Sequence, residues 1–104
     1  MSETLQPPAD CRSMAEVRAA VDALDRHLVE MLVERFAYMR AAARIKPERG
    51  HVRDEARKAQ VIANARHAAT ELGLPGEMIA RLWDDLVEAS IAYELAHWDE
   101  TRQK

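Results

Sequence analysis

A chain of 104 residues has room for one domain, and its formal charge of -3 with a pI near 5.8 leaves Lys and Arg spread among Asp and Glu, with no basic stripe for a phosphate backbone. Nucleic acid is thereby excluded as an expected partner. Membrane is excluded too, because the apolar runs are only a few residues long. The opening MSETLQPPAD lacks the basic and apolar regions of a signal peptide, so a cytoplasmic location is expected.

All seven Gly and Pro residues fall in four places: Pro7 and Pro8, Pro47 with Gly50, Gly73, and Pro75 with Gly76. They punctuate three helices, expected at about 13-46, 54-72 and 76-102, with residues 1-12 as a flexible N-terminal segment of the single domain 1-104. Alternating-polarity runs are absent and Ala, Leu, Glu and Arg dominate, so the fold class is all-α. Cys11 has no partner for an internal disulfide and no base beside it in sequence, which favours an incidental thiol over a nucleophile.

The first helix opens on Ser13 and Glu16, an S-x-x-E capping box, and ends at Lys46 because Pro47 disfavours helical geometry in the residue before it. Its apolar seam reads Val17, Val21, Leu24, Leu28, Met31, Arg35, Tyr38, Ala42, Ile45, in alternating steps of four and three. At 1.5 Å per residue this helix is roughly 50 Å long, against a radius of gyration of ~13 Å for a compact domain of this size. A second copy packed along the exposed part is the simplest cover, so an intertwined homodimer is expected.

The loop from Pro47 to Arg53 is polar and expected to be mobile. Asp54 is a candidate N-cap for the second helix, and Gly73 closes that helix. The third helix carries Met78, Ile79, Leu82, Trp83, Leu86, Val87, Ser90, Ile91, Glu94 and Trp98 on its apolar side.

Polar groups interrupt two of these apolar faces: Arg35 on the first helix, and Ser90 with Glu94 one turn apart on the third. A buried unpaired charge costs several kcal/mol, so such residues pair with each other or wait for a charged ligand. Arg35 could reach solvent along its stem or pair with Glu94. Spacing offers another reading. Arg35 and Lys46 are close to three turns apart on one face, roughly 16 Å along the axis, a span that two long side chains can close around a small molecule. Arg18 lies about 25 Å from Arg35 along the helix. If both serve one pocket, Arg18 comes from the partner subunit.

The ordered set of Arg18 in VRAAVDALD, Glu34 with Arg35, Lys46 at the end of the first helix, Val52 to Asp54 followed by Arg57, and Ser90 with Glu94 resembles the all-helical chorismate mutases over residues 14-98. The PPADC stretch, the YMRAAARIK segment and Trp98 additionally resemble the isochorismate-pyruvate lyase branch of that fold. The resemblance implies a three-helix protomer in an interlocked homodimer, each site taking one arginine from the other subunit. It places Arg18 of the partner, Arg35 and Arg57 around the two substrate carboxylates, and Lys46 and Glu94 at the ether oxygen whose bond breaks. Ser90 lines the ring-carboxylate side and Asp54 stands near the ring hydroxyl.

The implied reaction, the Claisen rearrangement of chorismate to prephenate, needs no nucleophile, metal or cofactor. Its requirements are a folded substrate and a stabilised ether oxygen, which these residue types can supply. His27, His51, His67 and His97 have no metal-site spacing. Two positions depart from the commonest mutase pattern. Glu94 stands where many members carry Gln, and it donates a hydrogen bond only when protonated. Lys58 stands where mutases often hold the ring hydroxyl with Glu. The alternatives are therefore isochorismate-pyruvate lyase activity, giving salicylate and pyruvate, and, from a different class, a catalytically silent helical interaction dimer.

Overall fold

The computed structural model describes residues 5-103. Among them the secondary structure is helical throughout: α1 (Met14–Ile45), α2 (Glu55–Glu71) and α3 (Gly76–Thr101), with short 3-10 turns at Pro8–Asp10 and Arg49–His51. The three expected helices are present, each end within a residue or two of its place. By contact the chain divides into two compact units, one ending at Arg35 and the other beginning at Phe36.

In the first unit α1 starts as its residues dictate, with a small shift in the box. Ser13 Oγ accepts the Glu16 N–H at 3.2 Å, while Glu16 Oε1 accepts the N–H of Arg12, one residue earlier than the ideal reciprocal bond, at 2.8 Å. Part of the segment expected to be flexible forms the 3-10 turn at Pro8–Asp10, closed by the Asp10 and Cys11 N–H groups on the Pro7 and Pro8 carbonyls; residues 1-4 lie outside the described residues. This turn and the start of α1 enclose a groove of about 370 Å³ walled by Leu5, Pro8, Val17, Val21 and Leu24. The α1 seam is left uncovered within the chain, with Leu24, Leu28 and Met31 all more than half exposed.

The second unit packs the last turns of α1, the connection after it, α2 and α3. Its core is small: Val52, Val87 and Ile91 are buried, with Val61, Ile62, Leu95 and Trp98 against them. Phe36 meets Tyr93 edge-on at 4.9 Å, and Arg40 donates to the Tyr93 hydroxyl at 2.7 Å, fixing this end of α1 against α3. On α3, Met78 and Leu82 sit on the expected apolar side but remain exposed in the single chain.

The connection expected to be polar and mobile is tied at three points. Arg49 makes a two-pronged pair with Asp99 at 2.9 and 3.2 Å, Val52 is buried, and Arg53 pairs with Glu88 at 2.7 Å. Val52 looked like a loop residue because polar neighbours flank it; three-dimensional packing makes it a core residue.

Asp54 caps α2 by accepting the Arg57 N–H at 3.0 Å. α2 ends in a left-handed turn at Gly73, φ +87°, with the Leu74 N–H on the Ala69 carbonyl and the Gly73 N–H on that of Thr70. At Gly76 the constraint is space: a Cβ there would lie 2.8 Å from Thr70 Oγ1. Gly73 instead has open surroundings, so Gly73→Ala isolates the backbone term. It should lower stability by about 1 kcal/mol in urea unfolding, the cost of a left-handed residue with a side chain; an unchanged midpoint would contradict that turn.

Candidate active site

Lys46 is delivered by the last turn of α1, its own N–H still bonded to the Ala42 carbonyl at 2.9 Å. Its Nζ reaches Glu94 Oε2 on α3 at 2.7 Å. The two side chains differ in exposure, 30% for Lys46 and 6% for Glu94. A carboxylate so withdrawn from water is tolerated because the ammonium meets it directly. An ammonium has three donors, and with Lys46 partly exposed this one can face a ligand while still holding Glu94.

Ser90 is buried one turn before Glu94, and its hydroxyl donates to the Leu86 carbonyl at 2.7 Å. That bond commits the hydroxyl proton to its own helix. Asp54 and Arg57 are brought together at the start of α2, where the Arg57 guanidinium also donates to Gln60 Oε1 at 2.7 Å. The structure thus unites Lys46 with Glu94, sets Ser90 beside them on α3, and couples Asp54 to Arg57.

Arg18 and Arg35 belong to the first unit. Arg18 is exposed on α1. Arg35 is half-buried, and loss of water around its guanidinium pulls its pKa below the ordinary arginine value. Glu94, in the second unit, is held by Lys46.

Lys58 is occupied by the protein itself. Its ammonium bridges Asp84 at 3.0 Å and Glu88 at 2.7 Å, and Glu88 also receives both arms of Arg53 at 3.0 and 2.7 Å. Hydrogen bonds from Arg53 and then Lys58 draw the Glu88 carboxyl from 4.5 down to about 2. Sequence reasoning named Trp98 but linked neither it nor Arg102 to Lys46. Trp98 Nε1 donates to the Lys46 carbonyl at 3.1 Å, and Arg102 donates to the carbonyls of Ala43 and Lys46 at 3.0 and 2.8 Å. The signal was available in the spacing: Ser90, Glu94, Trp98 and Arg102 follow one another at i, i+4 along α3.

Residues 17–95 match the family profile described as chorismate mutase type II. The chain belongs to that family. A curated relative, the isochorismate pyruvate lyase of Pseudomonas aeruginosa, is 29% identical over 98 residues, covering 94% of this chain and 97% of the relative. Membership of the chorismate mutase type II family, with the lyase name of that relative, supports an enzyme of the isomerase or lyase class. Among the described residues no helix of this family member is long and apolar enough to cross a membrane.

The Glu88 cluster has a calculable pH signature. Because its carboxyl titrates lower when folded, its stabilisation is complete above 4.5 and is lost as pH falls from there toward about 2. Wild type should therefore be more stable than Glu88→Gln at neutral pH, by a urea midpoint difference that closes across that window. A difference that persists at about pH 2 would exclude the ion pairs as its source.

Proposed function

We propose that the chain is a chorismate mutase that converts chorismate to prephenate by one pericyclic step. The observation that carries this reading is the pair of half-buried Lys46 and buried Glu94 at 2.7 Å, in a chain that belongs to the chorismate mutase type II family. The ether C–O bond breaks as the new C–C bond forms, and charge builds on the ether oxygen during the step. Lys46 aims a donor at that oxygen, and protonated Glu94 adds a second. Arg35 and Arg57, with Arg18 of a second subunit, hold the two carboxylates and fold the flexible substrate into its reactive shape.

These parts are sufficient in magnitude. One well-aimed donor at a developing oxyanion is worth roughly 3 to 4 kcal/mol, and a millionfold acceleration needs about 8 kcal/mol. The active species is a homodimer in which the exposed seam of Val17, Val21, Leu24, Leu28 and Met31 is covered by the second copy. Burying each such side chain contributes ~2 kcal/mol. Asp54 recognises the ring hydroxyl, and Ser90 lines the ring-carboxylate side. A cytoplasmic location accords with such a metabolite, and the reaction requires no metal or cofactor.

A second reading is favoured by a specific observation: the relative matched along nearly the whole of both chains carries the name isochorismate pyruvate lyase. In that reaction a hydrogen passes from the ring to the enolpyruvyl carbon as the C–O bond breaks, leaving salicylate and pyruvate. The same cationic residues would serve it.

Incubation with chorismate and, separately, isochorismate at about pH 5 and about pH 7.5 decides between them. Prephenate formed faster at acid pH is the expected outcome, since Glu94 donates only when protonated. Salicylate with pyruvate would transfer the assignment to the lyase, and no product from either would leave a silent helical dimer. Lys46→Ala should lower kcat by roughly 100- to 1000-fold. Glu94→Gln, which donates at every pH, should flatten the profile; a wild-type rate already flat across that range would remove Glu94 from the donor role.

Subunit sharing has its own test. Arg18→Ala and Lys46→Ala proteins, each inactive alone, should regain roughly a quarter of wild-type turnover when unfolded together and refolded, because half the dimers then contain one intact site. No recovery, with mixed dimers verified by mass, would confine Arg18 to its own subunit's site or to none.

A further inference from the structure

We propose that Trp98 and Arg102 form a clasp on the last carbonyls of α1 that positions Lys46, which makes them positioning residues for the reaction. The need for such a device is written in the chain. The carbonyls of the last turn of a helix have no intrahelical donor. Here Pro47 makes the deficit specific, because the N–H that would meet the Ala43 carbonyl belongs to residue 47, and proline has none. Ala43 is fully buried, so water cannot supply the missing donor cheaply.

Arg102 fills the gap from the far end of α3. One guanidinium arm donates to the Ala43 carbonyl at 3.0 Å and the other to the Lys46 carbonyl at 2.8 Å. The Trp98 indole N–H reaches the same Lys46 carbonyl at 3.1 Å, and the Arg102 guanidinium lies over the Trp98 ring at 4.4 Å. Planar fork and flat ring therefore act as one unit, each restricting the other. The peptide on the C-terminal side of Lys46 is held at its oxygen by two donors, while the Lys46 N–H is held by Ala42.

With the backbone of Lys46 held on both sides, only its side-chain torsions remain to bring Nζ to Glu94. Glu94 itself sits one turn before Trp98 on the same helix. A single element, the face of α3 carrying residues 94, 98 and 102, thus supplies both the partner of the ammonium and the donors that fix the residue bearing it. A shift of about 1 Å in a positioned group can cost about 100-fold in rate, which is the scale on which this clasp acts.

The proposal rests on the reading of Lys46 as the donor at the ether oxygen, so the test separates the two. Trp98→Phe keeps the ring beneath Arg102 and removes the N–H; Arg102→Lys keeps the cation and removes the fork; Arg102→Ala removes both. Each is assayed for kcat and KM on chorismate and isochorismate. Trp98→Phe and Arg102→Ala are also labelled with 13C-lysine, for which the chain has only Lys46, Lys58 and Lys104 to resolve. We expect Arg102→Ala to lose roughly 10- to 100-fold in kcat with KM changed far less, Arg102→Lys to recover part of that loss, and the Lys46 side-chain signal to move while that of Lys58 stays. Wild-type kcat in Arg102→Ala and Trp98→Phe, beside an inactive Lys46→Ala, would overturn the proposal even if both variants melt earlier, since a purely structural cap moves Tm alone. If Lys46→Ala turns over like wild type, the reading of Lys46 is what fails. The clasp then stands on the Lys46 signal, which moves in Arg102→Ala if the clasp exists and does not if it is absent.

Discussion

A carboxyl group with almost no contact with water needs a polar partner within the protein, and Glu94 is such a group. Lys46 answers it, at the one place on α1 where the helix is about to stop. This pairing sets the register of the end of α1 against the middle of α3. The Phe36 and Tyr93 contact and the Arg40 to Tyr93 bond fit the same register further up. It also explains how the core of this unit can be so small. Val52, Val87 and Ile91 fill the space between α2 and α3, while charge pairing and carbonyl capping, which are more directional than apolar contact, hold α1 in place.

Much of this was legible in sequence, for local reasons. Ser13, Asp54, Pro47 and Gly73 act within a turn of themselves, through caps and forbidden backbone angles, so the helix limits followed from them with little dependence on tertiary context. The seam of α1 and the interruptions at Arg35, Ser90 and Glu94 were readable because helical periodicity marks a polar residue on an apolar face as out of place. Glu94 meeting Lys46 was not read from spacing, because the two belong to different helices. Only the family resemblance put them at one atom.

What stayed hidden depended on which surfaces meet. Val52 is flanked by charges and read as loop, yet it closes the core because the 3-10 turn before it swings it inward. Arg102, at the end of the third helix, was not singled out in the sequence. Its role becomes apparent only when Pro47, some fifty residues away in the chain, is seen to leave the Ala43 carbonyl without a donor. The i, i+4 ladder that continues Ser90 and Glu94 through Trp98 to Arg102 was on the page. What was missing was a reason for a cation to join an apolar face, and a carbonyl lacking its proline-denied donor is that reason.

Lys58 shows how a departure from a family pattern can be structural in origin. A free ammonium where mutases often place Glu would offer the ring hydroxyl a donor and add positive charge beside a dianion. Here Asp84 and Glu88 both bind that ammonium, and Glu88 is further engaged by Arg53. With Glu55 also on Arg53, three carboxylates face two cations and no positive charge is left over, so the substitution adds little positive field at the start of α2. Any selectivity between a hydroxyl on one ring carbon and on another then has to come from groups not spent on this cluster. Asp54 is the nearest candidate in sequence, and its carboxylate is already oriented by capping the Arg57 N–H. Hydroxyl recognition and helix capping would then share one side chain, and substrate choice would be tied to the geometry of the first turn of α2.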